Sequence, residues 1–139
     1  MGRICTNPHQ SIKLLQVGFS PAAADMWWSE YAVINNGAPV MTRLDEPVLY
    51  SYQNQKSDIP AWTLTTLLLA LPGSVKYDDS IYNLHIFKED ETYIIDYSGE
   101  HNSLIYRDGI DLIDITVQII LHLIKLGIPL NPAYLYNNI

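Results

Sequence analysis

Apolar residues recur along this chain with two different periods, and the periods separate helices from strands. Ile12, Leu14 and Leu15 crowd one side of a short helix whose beginning is written in Asn7-Pro8-His9-Gln10. Asn7 can accept from the third helical N–H, Pro8 suits the first position, and Gln10 can reach back in a capping box. Gly18 is the expected stop. Ser20-Pro21 repeats the start signal, and Ala22-Ala23-Ala24 favour one or two further turns. Leu64, Leu67, Leu68 and Leu71 stand at i, i+3, i+4 and i+7, which predicts an amphipathic helix opened by Ser57-Asp58-Ile59-Pro60 and stopped by Pro72-Gly73. Thr63 and Thr66 fall on its other side, toward solvent or a partner. The clearest helix starts at Asp111, a capping residue, and ends at Gly127 and Pro129. Its polar positions Asp114, Gln118, His122 and Lys125 make one narrow stripe, so the rest of its circumference is expected to be the centre of the core.

Alternation marks the strands. Aromatic and β-branched residues from Trp27 to Ile34 predict a strand entering a turn at Asn35-Asn36-Gly37. A second short strand is expected near Val48 to Tyr52, inside a longer loop that holds Pro39 and Pro47. Ile81 to Lys88, Thr92 to Tyr97 and Ser103 to Arg107 form a three-stranded antiparallel meander, with the acidic run Glu89-Asp90-Glu91 as its first turn. The tail holds Tyr134, Leu135 and Tyr136 and is expected to pack back onto the domain. The 139 residues fit one α+β domain. Its expected form is a small antiparallel sheet of about three to five strands, packed on one face by two long helices and accompanied by short N-terminal helices.

Composition narrows the function classes. Apolar residues make up 48% and charged residues 17%, a globular balance rather than the signature of disorder. Fifteen acids against eight Lys and Arg give a net charge of -7, and the cations are scattered singly. Such a surface repels a phosphate backbone and offers no basic footprint, so neither nucleic acid nor an anionic membrane is an expected partner. The apolar stretches Ile59 to Val75 and Ile110 to Leu126 are broken by prolines or by charges, and neither reads as a membrane span. Cys5 is the only cysteine and allows no intrachain disulfide, which together with the lack of a secretory pattern points to a reducing, cytoplasmic setting. The first residues match the loose Gly2 myristoylation rule, without the second anchoring signal that stable attachment needs.

Candidate chemistry is thin. Cys5 lacks any recognised histidine context for nucleophilic catalysis, and His9, His85, His101 and His122 lack the close spacing of metal ligands. Asp96, Glu100 and Asp108 flank the third strand of the meander and form the one carboxylate set with a spacing open to acid–base work; turn and capping roles account for Glu100 and Asp108 equally well. The glycines are isolated, so no loop cradles a phosphate, and no cofactor is expected. Ten tyrosines and three tryptophans exceed what a core of this size needs. Trp27, Trp28, Tyr93, Tyr97 and Tyr106 are therefore the candidate interaction surface.

Thr6, Gln10-Ser11, Leu14-Leu15, Gly18, Pro21 and Ala24-Asp25-Met26, followed by Asp58-Ile59-Pro60-Ala61-Trp62-Thr63-Leu64 and by Asp114 and Val117 in the closing helix, form an arrangement that resembles a family of small proteins. These are proteins of similar length from gut bacteria of the Bacteroides group and from their phages or mobile elements. The resemblance covers the first thirty or so residues, the middle helix and the last helix, and implies a bacterial cytoplasmic setting. It brings no catalytic residue. The leading expectation is a non-enzymatic interaction domain or homo-oligomer that sets exposed aromatics beside an acidic surface. One alternative is a small-molecule binder or enzyme with a pocket between sheet and helices, using Tyr93, Tyr97, Tyr106 or His85 as polar handles. Another is an acidic mimic of nucleic acid that blocks a DNA-binding enzyme.

Overall fold

The computed structural model describes residues 3–29, 31–33, 39–41, 48–53, 56–131 and 134. The expected turn at Asn35-Asn36-Gly37, the tail residues Leu135 and Tyr136, and Gly2 lie outside them. The chain runs α1 (Pro8–Gln16), a 3-10 turn (Pro21–Ala23), β1 (Met26–Ser29), β2 (Tyr31–Val33), β3 (Pro39–Met41), β4 (Val48–Tyr50), β5 (Ile59–Ala61), α2 (Leu64–Ala70), β6 (Ser74–Tyr77), β7 (Ser80–Glu89), β8 (Thr92–Ser98), β9 (Ser103–Gly109) and α3 (Leu112–Lys125). All pairing is antiparallel: β4-β1-β5 make a three-stranded sheet, β2 and β3 a ladder of two, and β6-β7-β8-β9 a meander of four. The mixed α+β class is as expected, but the single sheet is not: the described strands divide among three separate ladders.

Both ends of α1 follow from its sequence. The Asn7 side chain accepts from Gln10 N at 2.8 Å, and Gln10 Oε1 accepts from Asn7 N at 3.1 Å, closing the capping box. At the other end Gly18 takes φ +94°, Phe19 N reaches Leu14 O at 3.0 Å, and the Phe19 ring is buried. Helix α3 stops in the same way, with Gly127 at φ +77° and Ile128 N on Leu123 O at 2.9 Å. Each is a Schellman stop that drives its following apolar residue inward.

Three expectations are corrected. Ser57-Asp58-Ile59-Pro60 does not open a helix, because Ile59–Ala61 is drawn into pairing with Met26, Trp27 and Trp28 of β1. β5 is an edge of its sheet, a position where Pro60 withholds no necessary N–H. α2 therefore starts only after Thr63 and spans 7 residues, so the sheet is covered by one long helix, the 14-residue α3, and not by two. The meander has a fourth strand, since Asp78 and Asp79 both adopt positive φ (50° and 64°) and turn Tyr77 directly onto Ser80.

The core lies where α3 meets one face of the meander. Ile113, Ile115, Val117, Ile119, Ile120 and Leu123 of α3 are buried against Ile95, Tyr97 and Ile105. Gly109 leaves the room this packing requires: a Cβ there would stand 2.8 Å from Ile115 Cγ2. Trp62, fully buried, donates Nε1 to Ser20 O at 3.1 Å and meets Phe19 edge-on at 4.9 Å; Phe19 in turn stacks on Tyr134, which brings the tail back onto the domain. Arg3 joins the starts of α1 and α3. It pairs with Asp111 at 3.1 Å and with Asp114, and donates to Gln10 Oε1 at 2.7 Å.

Thr63 and Thr66 do not face solvent. The N-terminus of α2 has no cap from its own Thr63 side chain; Asp25, just before β1, supplies it, accepting from Thr63 N at 2.8 Å, Thr63 Oγ1 at 2.5 Å and Thr66 Oγ1 at 2.8 Å. Losing these bonds costs about 2 kcal/mol if the cap and one hydroxyl bond count fully. Urea denaturation of Asp25→Ala is expected to show a destabilisation of that size, with Asp25→Asn intermediate.

Candidate functional site

Strand alternation divides the meander into two unlike faces. Tyr93, Ile95 and Tyr97 of β8 point toward α3, with Ile105, Arg107 and Gly109 beside them on β9. The other face carries no described helix, and its side chains form a grid. One row is Phe87, Ile94 and Asp108; the next is His85, Asp96 and Tyr106; Asn83 and Ser98 follow, and Ile81 stands beyond, paired with Lys76. Phe87 is 45% exposed, Tyr106 46% and Ile81 61%, which is unusual for residues of this size in mid-sheet. Ile94 is buried beneath these neighbours and belongs to no part of the main core cluster.

Asp96 sits at the centre of that grid. Its Oδ1 is shut off from solvent and has no hydrogen-bond partner. An acceptor left in this state costs about 1–3 kcal/mol, and a carboxylate more than a neutral group. The two side chains directly across the ladder, His85 and Tyr106, flank it without satisfying it. The residue as a whole is only half-buried, so a turn of the side chain brings its carboxylate, flanked by aromatic and aliphatic surface, to the open face where an outside donor can reach it.

The five candidate aromatics do not make one patch. Tyr106 alone lies on the open face. Tyr97 is fully buried, and its hydroxyl donates to Pro72 O at 2.6 Å. Burial pushes that phenol well above its usual range, so Tyr97 is a core residue and leaves the candidate surface. Tyr93 is half-buried on the helical side, where Lys88 Nζ stands 5.3 Å from its ring centroid. Trp27 is half-buried on β1, across from Tyr50 and Pro60. Trp28 donates Nε1 to Thr6 O at 2.8 Å and, with Ile4, Cys5 and Leu49, lines an apolar hollow of about 290 Å³. Phe87 and Ile81, absent from the sequence candidates, are exposed on the open face beside Tyr106; their signal was the wrong-face position of apolar residues in the alternation of β7.

The carboxylate set also separates. Glu100 is in the turn before β9, next to His101 at 4.0 Å and open to water, while Asp96 and Asp108 share the open face at diagonal positions. No described group of three or more His, Cys, Asp or Glu residues could hold a metal ion, and no described helix is long and apolar enough to cross a membrane. No protein-family model, curated protein or solved structure matches the chain.

Cys5 is buried beside Thr63 in an isolated bridge. Desolvation, reinforced by the Asp25 carboxylate and opposed by Arg3, pushes its thiol up to about 11. The neutral thiol is a poor nucleophile at physiological pH. In native protein at pH 8 its reaction with a disulfide reagent is expected to be on the order of 10²-fold slower than that of a free thiol. Full reactivity should return in urea; prompt labelling of the native chain would contradict the burial.

Proposed function

We propose that this chain is a protein-interaction domain that uses the open face of its meander to hold a basic, aromatic-rich partner segment. The observation that carries the reading is the orphaned Oδ1 of Asp96 between His85 and Tyr106, with Phe87 on the neighbouring row of the same face. A guanidinium or ammonium group brought to the open face would draw the Asp96 carboxylate out of its enclosure into a charge-assisted bond, and the rings beside it would exclude water. Charge complementarity favours a cationic partner, because Glu89 and Asp108 lie on the same face as Asp96 and the chain carries a net charge of -7. A second copy of the chain would bring the same acids face to face, so self-association through this surface is the less favourable case. On the resemblance noted above, the partner belongs among bacterial or phage proteins of the cytoplasm.

Selection of a random peptide library on the purified domain tests the proposal. Enriched peptides are expected to combine Arg or Lys with an aromatic residue, and Phe87→Ala or Asp96→Asn should each weaken them at least about tenfold. Ligands without a cation, or affinities indifferent to both substitutions, would overturn it, as would concentration-dependent dimerisation abolished by Phe87→Ala.

The same geometry makes a second prediction about the free protein. Asp96→Val removes the unpaired acceptor and places a strong strand former at the site, so the domain should gain about 1 kcal/mol in urea denaturation while losing peptide binding. A loss of stability would show that Asp96 is already satisfied.

A further inference from the structure

On the other side of the meander, α3 and the edge strand β9 enclose a shallow groove of about 290 Å³ lined by Arg107, Gln118, Leu121, His122 and Lys125. In a chain with an excess of acids, Arg107 and Lys125 meet no carboxylate among the described residues; the ion pairs there are those of Arg3 and of His101. The helix supplies part of the reason. His122 and Lys125 fall in the last turn of α3, where cations oppose the negative end of the helix dipole. That does not account for Arg107, which comes from β9 and turns its guanidinium onto the same spot.

The hydrogen bonds define what the groove lacks. Arg107 Nη1 donates to Tyr106 O at 2.8 Å, and Arg107 Nη2 stands 3.1 Å from His122 Nδ1. A guanidinium has N–H donors and no acceptor, so Nδ1 is the accepting nitrogen and Nε2 carries the ring proton. Of the five N–H groups of Arg107 two are used, and the remaining ones, the Lys125 ammonium, the His122 Nε2–H and the Gln118 amide are all donors; the Gln118 carbonyl is the sole acceptor among these side-chain groups. Leu121 adds an apolar wall.

We propose that this groove is an oxyanion site for a small molecule bearing a phosphate monoester, with Arg107 and Lys125 as the charged clamp, His122 and Gln118 as further donors, and Leu121 against the organic substituent. Phosphate suits it better than a carboxylate because it offers a dianion and three acceptor oxygens to donors that converge from a strand and a helix. The charged groups acting on His122 are Arg107 from β9 and Lys125 one turn along α3, both cations. Partial burial first, and then these two charges, hold the imidazole below its usual range, so the empty groove keeps His122 neutral. A bound dianion offsets the field of the two cations, and His122 then takes up a proton on Nδ1, which ends its acceptance from Arg107 Nη2 and turns both groups to the phosphate oxygens as donors. The site lies away from the open face and does not depend on the function proposed for it.

Titration of isotopically labelled protein with inorganic phosphate and with phenyl phosphate, at ionic strength fixed with chloride, tests the inference. Saturable shifts are expected at Arg107, His122 and Lys125, with the His122 midpoint rising by about one pH unit at saturation. Phenyl phosphate binding several-fold tighter than phosphate assigns the site to an organic monoester through Leu121; equal affinity assigns it to free phosphate. Lys125→Gln, at an exposed position, should weaken binding at least about fivefold, and Arg107→Gln should abolish it with the amide spectrum otherwise native. Non-saturating shifts, a His122 response no larger than that to chloride, or binding that survives both substitutions would overturn the proposal.

Discussion

The structure depends on the enclosure of α3. A helix apolar over nearly its whole circumference must be covered on several sides at once, and each fully buried Ile or Leu contributes roughly 1.5–3 kcal/mol only if water is excluded from it. The chain meets that demand by laying the Ile95 and Tyr97 face of the meander under the helix and closing over it with α1, α2 and the returning tail. Val117 and Ile120 are buried, and Leu121 is partly so, at the rim where the groove opens. The Arg3 contacts to Asp111, Asp114 and Gln10 fix the starts of α1 and α3 together, so an N-terminal residue acts as a fastening for the core.

One consequence is an imbalance between the two faces of the sheet. All the described helical cover goes to one side, and the other side keeps Phe87, Tyr106 and Ile81 in contact with water around an acceptor with nothing to accept. The second consequence concerns charge. Asp114, at the head of the α3 polar stripe, is consumed by Arg3 and Gln10. Gln118, His122 and Lys125, at its foot, are left with Arg107. A single stripe of four polar residues is thereby divided into a fastening at one end and a donor-rich groove at the other.

Much of the fold was legible in the sequence wherever a local chemical signal and the tertiary outcome agreed. Asn7 and Gln10, Gly18, Asp111 and Gly127 placed the helix ends, and the alternation from Ile81 onward placed three strands of the meander. Two of the failures share a cause, because in each a distant partner overrode the local signal. Pro60 resembled a first helical residue, but pairing with β1 claimed it. Thr63 and Thr66 read as a face for solvent or a partner, and Asp25, far back in the chain, occupies it instead. The hairpin at Asp78-Asp79 rests on two aspartates in a conformation that glycine or asparagine would have advertised. For the site, alternation put Tyr93 and Tyr97 on one face and Asp96 on the other, but which face the helix would cover was decided by packing, and that choice removed Tyr97 from the surface and left Phe87 on it.

The central claim is that helical cover lies on one face of the meander and not on the other. Paramagnetic relaxation by a soluble, uncharged gadolinium chelate measures this directly through side-chain signals. Strong broadening is expected at Ile81 and Phe87, with Ile119, Ile120 and Leu123 left sharp. Protection of Ile81 and Phe87 equal to that of Ile120 would contradict it.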